Sequence, residues 1–106
     1  MNAGDFGVVS TTLAELGDAE RIAALLLEEK LAACVQIFRI DSNYVWKGET
    51  NHQPELMLLI KTRATLIREV QATIASLHSY DVPEFLVLSV SGGSEAYLAW
   101  LEASLR

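Results

Sequence analysis

The sequence predicts an α+β fold of the ferredoxin-like kind: a βαββαβ antiparallel sheet with two helices on one face, a C-terminal helix, and a long central hairpin. Three observations carry that prediction. Short β-branched runs and longer Ala-, Leu- and Glu-rich runs follow one another in the order strand, helix, strand, strand, helix, strand. The second and third strand runs have no helical periodicity between them, which makes them a hairpin. The chain has 106 residues, 51% of them hydrophobic, enough for one core, so residues 1–106 read as a single domain.

Each element has its own signal. DFGVVST (5–11) is short, apolar and β-branched, a first strand. From Asp18, a residue suited to cap a first turn, to Ala33 the run consists of good helix formers with Ile22, Leu25 and Leu26 on one face. In CVQIFRIDSNYVWKGE (34–49), Val35 and Ile37 alternate in one phase and Phe38, Ile40, Tyr44 and Trp46 in the other, predicting a bulge or bend near Ile37 within one long strand. A polar loop, GETNHQ, leads to PELMLLIKT, where Pro54 opens the strand and Leu56 to Ile60 are expected to be buried on both faces. Thr65 is the expected cap of a second helix whose Ile67, Val70, Ile74 and Leu77 share one side. Beyond Pro83, EFLVLSV is the fourth strand, and SGGS (91–94) forms the turn and cap that start the last helix.

The hairpin has a consequence for assembly. Cys34 to Gly48, at about 3.3 Å per residue, reaches on the order of 50 Å, against a radius of gyration of about 13 Å for a domain this size. It must overhang, exposing Tyr44, Val45 and Trp46 and unpaired strand edges. The expectation is a homo-oligomer in which another chain covers them.

Eight Lys and Arg against fourteen Asp and Glu give a net charge of −6, with no basic run to neutralise successive phosphates. Nucleic acid and anionic membranes are excluded as partners, and no apolar run reaches the roughly 20 residues that span a bilayer. The N-terminus resembles no signal or transit peptide, so the expected location is cytoplasmic. Cys34, the single cysteine, forms no internal disulfide and no Cys-rich zinc site, and reads as a buried, inert thiol.

EEKLAACV (28–35), the Tyr44-x-Trp46-x-Gly48 pattern, Lys61–Thr62, LHSYDVPE (77–84) and YLAWL (97–101) occur together in an order and spacing that resemble the CutA divalent-cation-tolerance family. The resemblance covers nearly the whole chain. It implies a homotrimer whose hairpins wrap neighbouring subunits, tolerance of copper and other divalent ions, and no catalytic activity. Some members bind copper through a cysteine at the end of the first strand and adjacent histidines before the HxY corner. Here those positions hold Thr11, Leu77 and His78, so only His78 is carried over as a metal ligand, and any copper or other divalent cation is expected to bind weakly.

LHSYDVPEF (77–85) therefore has two readings. His78 donates an imidazole nitrogen to a metal, or it ends the second helix by bonding its last carbonyls. His52 reads as a solvated loop residue. Tyr44, Trp46, Lys61, Tyr80 and Glu84 are expected to line an interface or inter-subunit cleft in which Lys61 pairs with Glu84, or else to staple the oligomer. No nucleophile elbow, HExxH or phosphate loop is present, so no enzyme is expected. Two rival functions stand beside metal tolerance: a trimeric small-ligand or signalling module, and a structural adaptor.

Overall fold

A computed structural model describes residues 1–106. Its order is β1 (Phe6–Leu13), α1 (Leu16–Glu28), β2 (Cys34–Trp46), β3 (Glu49–Arg63), α2 (Ile67–Leu77), β4 (Leu86–Ser89) and α3 (Glu95–Ser104). The strands form one antiparallel sheet in the order β2-β3-β1-β4, the arrangement in which two split βαβ units interlock. The expected fold class holds.

Alternation sorts the sheet into two faces. Val9, Thr11 and Leu13 of β1 pair with Ile60, Leu58 and Leu56 of β3, and all six are buried against the helices. From the helix side, Ala19, Ile22, Ala23 and Leu26 recur at the i, i+3, i+4, i+7 spacing that gives α1 one apolar stripe. Val70 and Ile74 do the same for α2. The opposite face carries Val8, Phe38, Met57, Leu59, Leu86 and Leu88, none of them buried; α3 reaches only its Lys61 end, through Tyr97, and no helix covers the rest. The burial of Leu56–Ile60 on both faces is thus only half realised within one chain.

Several boundaries differ from the sequence reading. α1 starts at Leu16, and Asp18 pairs with Arg21 instead of capping. It stops at Glu28, not Ala33, because Lys30 turns left-handed (φ 56°) and the Lys30 and Leu31 amides return to the Leu27 and Leu26 carbonyls. That is a Schellman ending, closed by the buried Leu26 and Leu31 side chains. α2 is preceded by a 3₁₀ turn over Ala64–Leu66, and Thr65 makes no cap bond. Ser94 does cap α3, accepting from the Tyr97 amide at 3.1 Å.

The hairpin is longer and more regular than expected. Cys34↔Lys61 through Trp46↔Glu49 keeps one register without interruption, so no bulge exists at Ile37. The two apolar phases of β2 serve two faces: Val35 and Ile37 pack on the core, while Phe38 and Tyr44 are exposed. GETNHQ is not a loop. The turn is Lys47–Gly48 alone, both residues at positive φ (51° and 79°), as a type I′ hairpin requires, and Glu49 to Gln53 belong to β3. Pro54 then lies inside the strand, opposite Asp41. It is tolerated there because β1 ends opposite Leu56, leaving that side of β3 without a neighbour to donate to. From Ile40 to Glu55 the chain is a two-stranded ribbon, and the longest dimension of the molecule is 44 Å.

Candidate functional site

The corner between α2 and β4 wraps the end of β1 and is held by side chains. His78 leaves the helix in extended backbone and bonds none of its carbonyls. Its Nε2 lies 2.8 Å from the Thr12 carbonyl oxygen, and its Nδ1 accepts from the Tyr80 amide at 3.1 Å. A carbonyl only accepts and an amide only donates, so the ring is the neutral Nε2–H tautomer, with both nitrogens in use. This corrects the expected capping role. The histidine ties the corner to β1.

Tyr80 crosses to the ribbon. Its hydroxyl donates to Glu55 Oε2 at 2.8 Å and accepts from the Gln53 amide at 3.2 Å. Burial, first, and the adjacent Glu55 carboxylate, second, raise the phenol above its ordinary pKa, so it remains a donor. Its ring packs 4.9 Å from the His78 ring, tilted by 55°. Glu84 closes the corner by accepting from the Ser10 hydroxyl at 2.8 Å.

Between this corner and the ribbon lies an open cleft of about 840 Å³, lined by fourteen residues. Of the five aromatic and charged residues singled out in the sequence, it brings together Tyr44, Trp46, Tyr80 and Glu84. Lys61 is elsewhere: its ammonium donates to the Tyr97 hydroxyl at 3.0 Å and sits 5.2 Å from that ring's centroid. This hydrogen bond raises the Lys61 pKa, against a smaller opposing effect of burial. The expected Lys61–Glu84 pair is therefore not made within the chain. Cys34, opposite Lys61 in the ladder, is half-buried, not the enclosed thiol expected. His52 lies in β3 rather than a loop, exposed and 3.9 Å from Asp41.

Sequence reasoning missed Glu55, Gln53 and Thr12 in the cleft wall. A signal for two of them existed. Gln53 and Glu55 share the period-two phase of Met57 and Leu59, so a carboxylate in that phase had to be either paired or purposeful. The metal positions do not form a donor set. Thr11 is fully buried with a hydroxyl that has no partner, Leu77 packs on the core, and His78 has no free nitrogen. No three His, Cys, Asp or Glu side chains gather where an ion could sit. The residues present do not fit a copper ion.

Fold and site together define an α+β ferredoxin-like domain with a projecting ribbon and a polar corner at its root. Residues 7–104 match the family model described as CutA1 divalent ion tolerance protein, and the chain belongs to that family. It is 42% identical over 103 residues to the divalent-cation tolerance protein CutA of Pectobacterium atrosepticum, covering 96% of this chain and 94% of that one. It is 40% identical over 100 residues to the chloroplastic protein CutA of Arabidopsis thaliana, covering 93% of this chain and 55% of the relative. The chain thus spans about half the length of its plant and zebrafish relatives. Among solved structures it matches the periplasmic divalent cation tolerance protein CutA of Archaeoglobus fulgidus, with TM-score 0.92, 35% identity, and 95% and 99% of the two chains covered.

These relatives correct the expected cytoplasmic location. One is chloroplastic and another is described as periplasmic, so membership of the family does not place a chain in the cytoplasm. No helix of this chain is long and apolar enough to cross a membrane.

Proposed function

We propose that the protein acts as a homotrimer in tolerance of, or response to, divalent metal ions, copper among them, and catalyses no reaction. The observation that carries this reading is the family match over residues 7–104, with relatives named for divalent-cation tolerance. The assembly is supported by the ribbon, whose Tyr44, Val45 and Trp46 are exposed, and by the uncovered apolar sheet face with Phe38, Leu86 and Leu88. The number three comes from the resemblance. Metal ions meet a single chain only weakly, because its three family positions offer no free soft donor.

Light scattering tests the assembly: a mass of three times 11.7 kDa is expected, and a monomer at micromolar concentration overturns it. Calorimetric titration with Cu(II) and Zn(II) tests the metal reading. Weak binding, unchanged by His78→Ala, is expected. Tight stoichiometric binding lost in that variant would return His78 to the role of ligand.

A further inference from the structure

We propose that the Tyr80 hydroxyl aims the ribbon: it is a positioning group for assembly, fixing the direction in which the ribbon leaves its own domain before a second copy of the chain receives it. The proposal rests on the assembly part of the reading above and names the device that prepares it. β1 ends opposite Leu56, so beyond that pair β3 has lost its neighbour on one side and the chain continues as two strands. Pro54, just past this point, has no amide to offer. Two strands alone are marginal in water, so the step from three strands to two is where the ribbon can pivot.

The ribbon's own side-chain contacts do not stop that pivot, because they stay inside it. Asn51 donates to the Glu49 carbonyl at 3.1 Å, His52 lies 3.9 Å from Asp41, and the Lys47 ammonium lies 5.9 Å from the centroid of the Trp46 ring. The one side chain that hydrogen-bonds to the ribbon from outside is that of Tyr80.

The Tyr80 hydroxyl joins the two residues that flank Pro54, accepting from Gln53 at 3.2 Å and donating to Glu55 at 2.8 Å. Two attachment points in one period-two row of a strand set a direction as well as a position. Glu55 is only 7% exposed, so little water competes for its bond. The other end is anchored as firmly. The Tyr80 amide donates to His78 Nδ1, and His78 Nε2–H donates to the Thr12 carbonyl, in the part of β1 paired with Met57. A continuous run of hydrogen bonds therefore leads from β1, inside the sheet, to the root of the ribbon. All of these bonds lie within one chain, so they are in place before a neighbour docks. A ribbon already aimed loses little freedom on association, whereas a swinging one must be ordered at that moment, and its apparent affinity falls with the fraction correctly aimed.

The experiment follows assembly by light scattering and native mass spectrometry over a dilution series, in urea too dilute to unfold the chain, and reads the protein concentration at which half of the subunits are assembled. Tyr80→Phe is expected to raise that concentration about tenfold or more. Ser10→Ala, which frees Glu84 but leaves the ribbon tie intact, is expected to raise it less than about twofold. In a background of Gln53→Ala and Glu55→Ala, adding Tyr80→Phe is expected to change it less than about twofold, since the hydroxyl acts through those two residues. Should that background not fold, Gln53→Ala alone, at a half-exposed position, takes its place, and Tyr80→Phe should then have a smaller effect than in the parent. A parent that stays monomeric overturns the assembly reading and this proposal with it. A parent that assembles while Tyr80→Phe assembles at the same concentration overturns the proposal alone, as does an equal shift in Ser10→Ala. An undiminished Tyr80→Phe effect in the altered background also overturns it, because the hydroxyl would then bond the neighbour directly.

Discussion

The two halves of the molecule are held by different forces. Around β1, the core side of β3 and helices α1 and α2, order comes from apolar burial: Val9, Leu13, Ile22, Leu26, Leu58, Ile60 and Val70 have no exposed surface at all. The ribbon from Ile40 to Glu55 has one buried residue, Glu55, and order comes from a backbone ladder and a few polar ties at its root. An isolated two-stranded ribbon is marginal in water, so what fixes it must lie at its base or on another chain. The difference teaches where to look for function: stability is lodged in the half the sequence makes apolar, and the exposed aromatic and charged side chains in the other.

The largest expected effect tests that division directly. Leu58→Ala removes a side chain packed on every side and should cost about 2–5 kcal/mol in urea unfolding. Val45→Ser, at the 72% exposed tip, should change unfolding of the chain by less than about 0.5 kcal/mol. If the two were equally damaging under conditions that keep the oligomer apart, the ribbon would belong to the core and the contrast would fail.

Tyr80→Phe probes the tie between the halves. It leaves Glu55 without its only donor, so a loss of about 1–3 kcal/mol is expected. The pH dependence sharpens the reading. Tyr80's pKa is raised in the folded state, so the folded protein holds that proton more tightly than the unfolded chain does. Its contribution is fully present below the ordinary tyrosine pKa near 10, and is lost as pH rises from there through the higher folded value. The parent should therefore lose stability in this alkaline window more steeply than Tyr80→Phe. Equal slopes would mean that the phenol is no better held in the fold than in the open chain.

How much of this was legible in the sequence follows the same division. Where burial sets structure, periodicity reported it: the Ile22/Leu26 stripe and the Val70/Ile74/Leu77 side are direct signatures of the core. The ribbon misled. Glu49 to Gln53 read as a loop because no apolar face marks a strand exposed on both sides, and the Lys47–Gly48 turn carried only a glycine as its signal. The corner was visible as a polar cluster, but its bonds were not. His78 to Thr12, Glu84 to Ser10 and Tyr80 to Glu55 join residues 66, 74 and 25 positions apart, which no local pattern encodes. Lys61 was misplaced for the same reason, since its partner Tyr97 lies 36 residues on.

Thr11 brings a polar fault into the apolar half. Its hydroxyl is fully buried among β1, β3 and the helices and has no partner, where a methyl group would lose nothing. Thr11→Val keeps the shape and removes the unpaired group, and should raise stability by about 1–2 kcal/mol in thermal or urea unfolding. A loss instead would show that the hydroxyl finds a partner in solution, and a buried water is the natural one.

The smallest effects separate the halves most finely, because each contains one lysine in left-handed backbone: Lys30 at φ 56° and Lys47 at φ 51°. An L-residue there pays about 1–2 kcal/mol, partly offset by the greater freedom glycine has when unfolded, so replacement by Gly should gain about 0.5–1 kcal/mol locally. The Lys30 amide closes the Schellman end of α1 beside buried Leu31, so relief there acts on the cooperative core and Lys30→Gly should raise the urea midpoint. Lys47 turns a ribbon tip that can open without the core opening. Lys47→Gly should slow hydrogen exchange of the Val45–Thr50 amides while moving the urea midpoint less than Lys30→Gly does. Equal midpoint shifts would show that tip and core unfold as one unit, and the ribbon would then owe its order to the core rather than to its root and its partners.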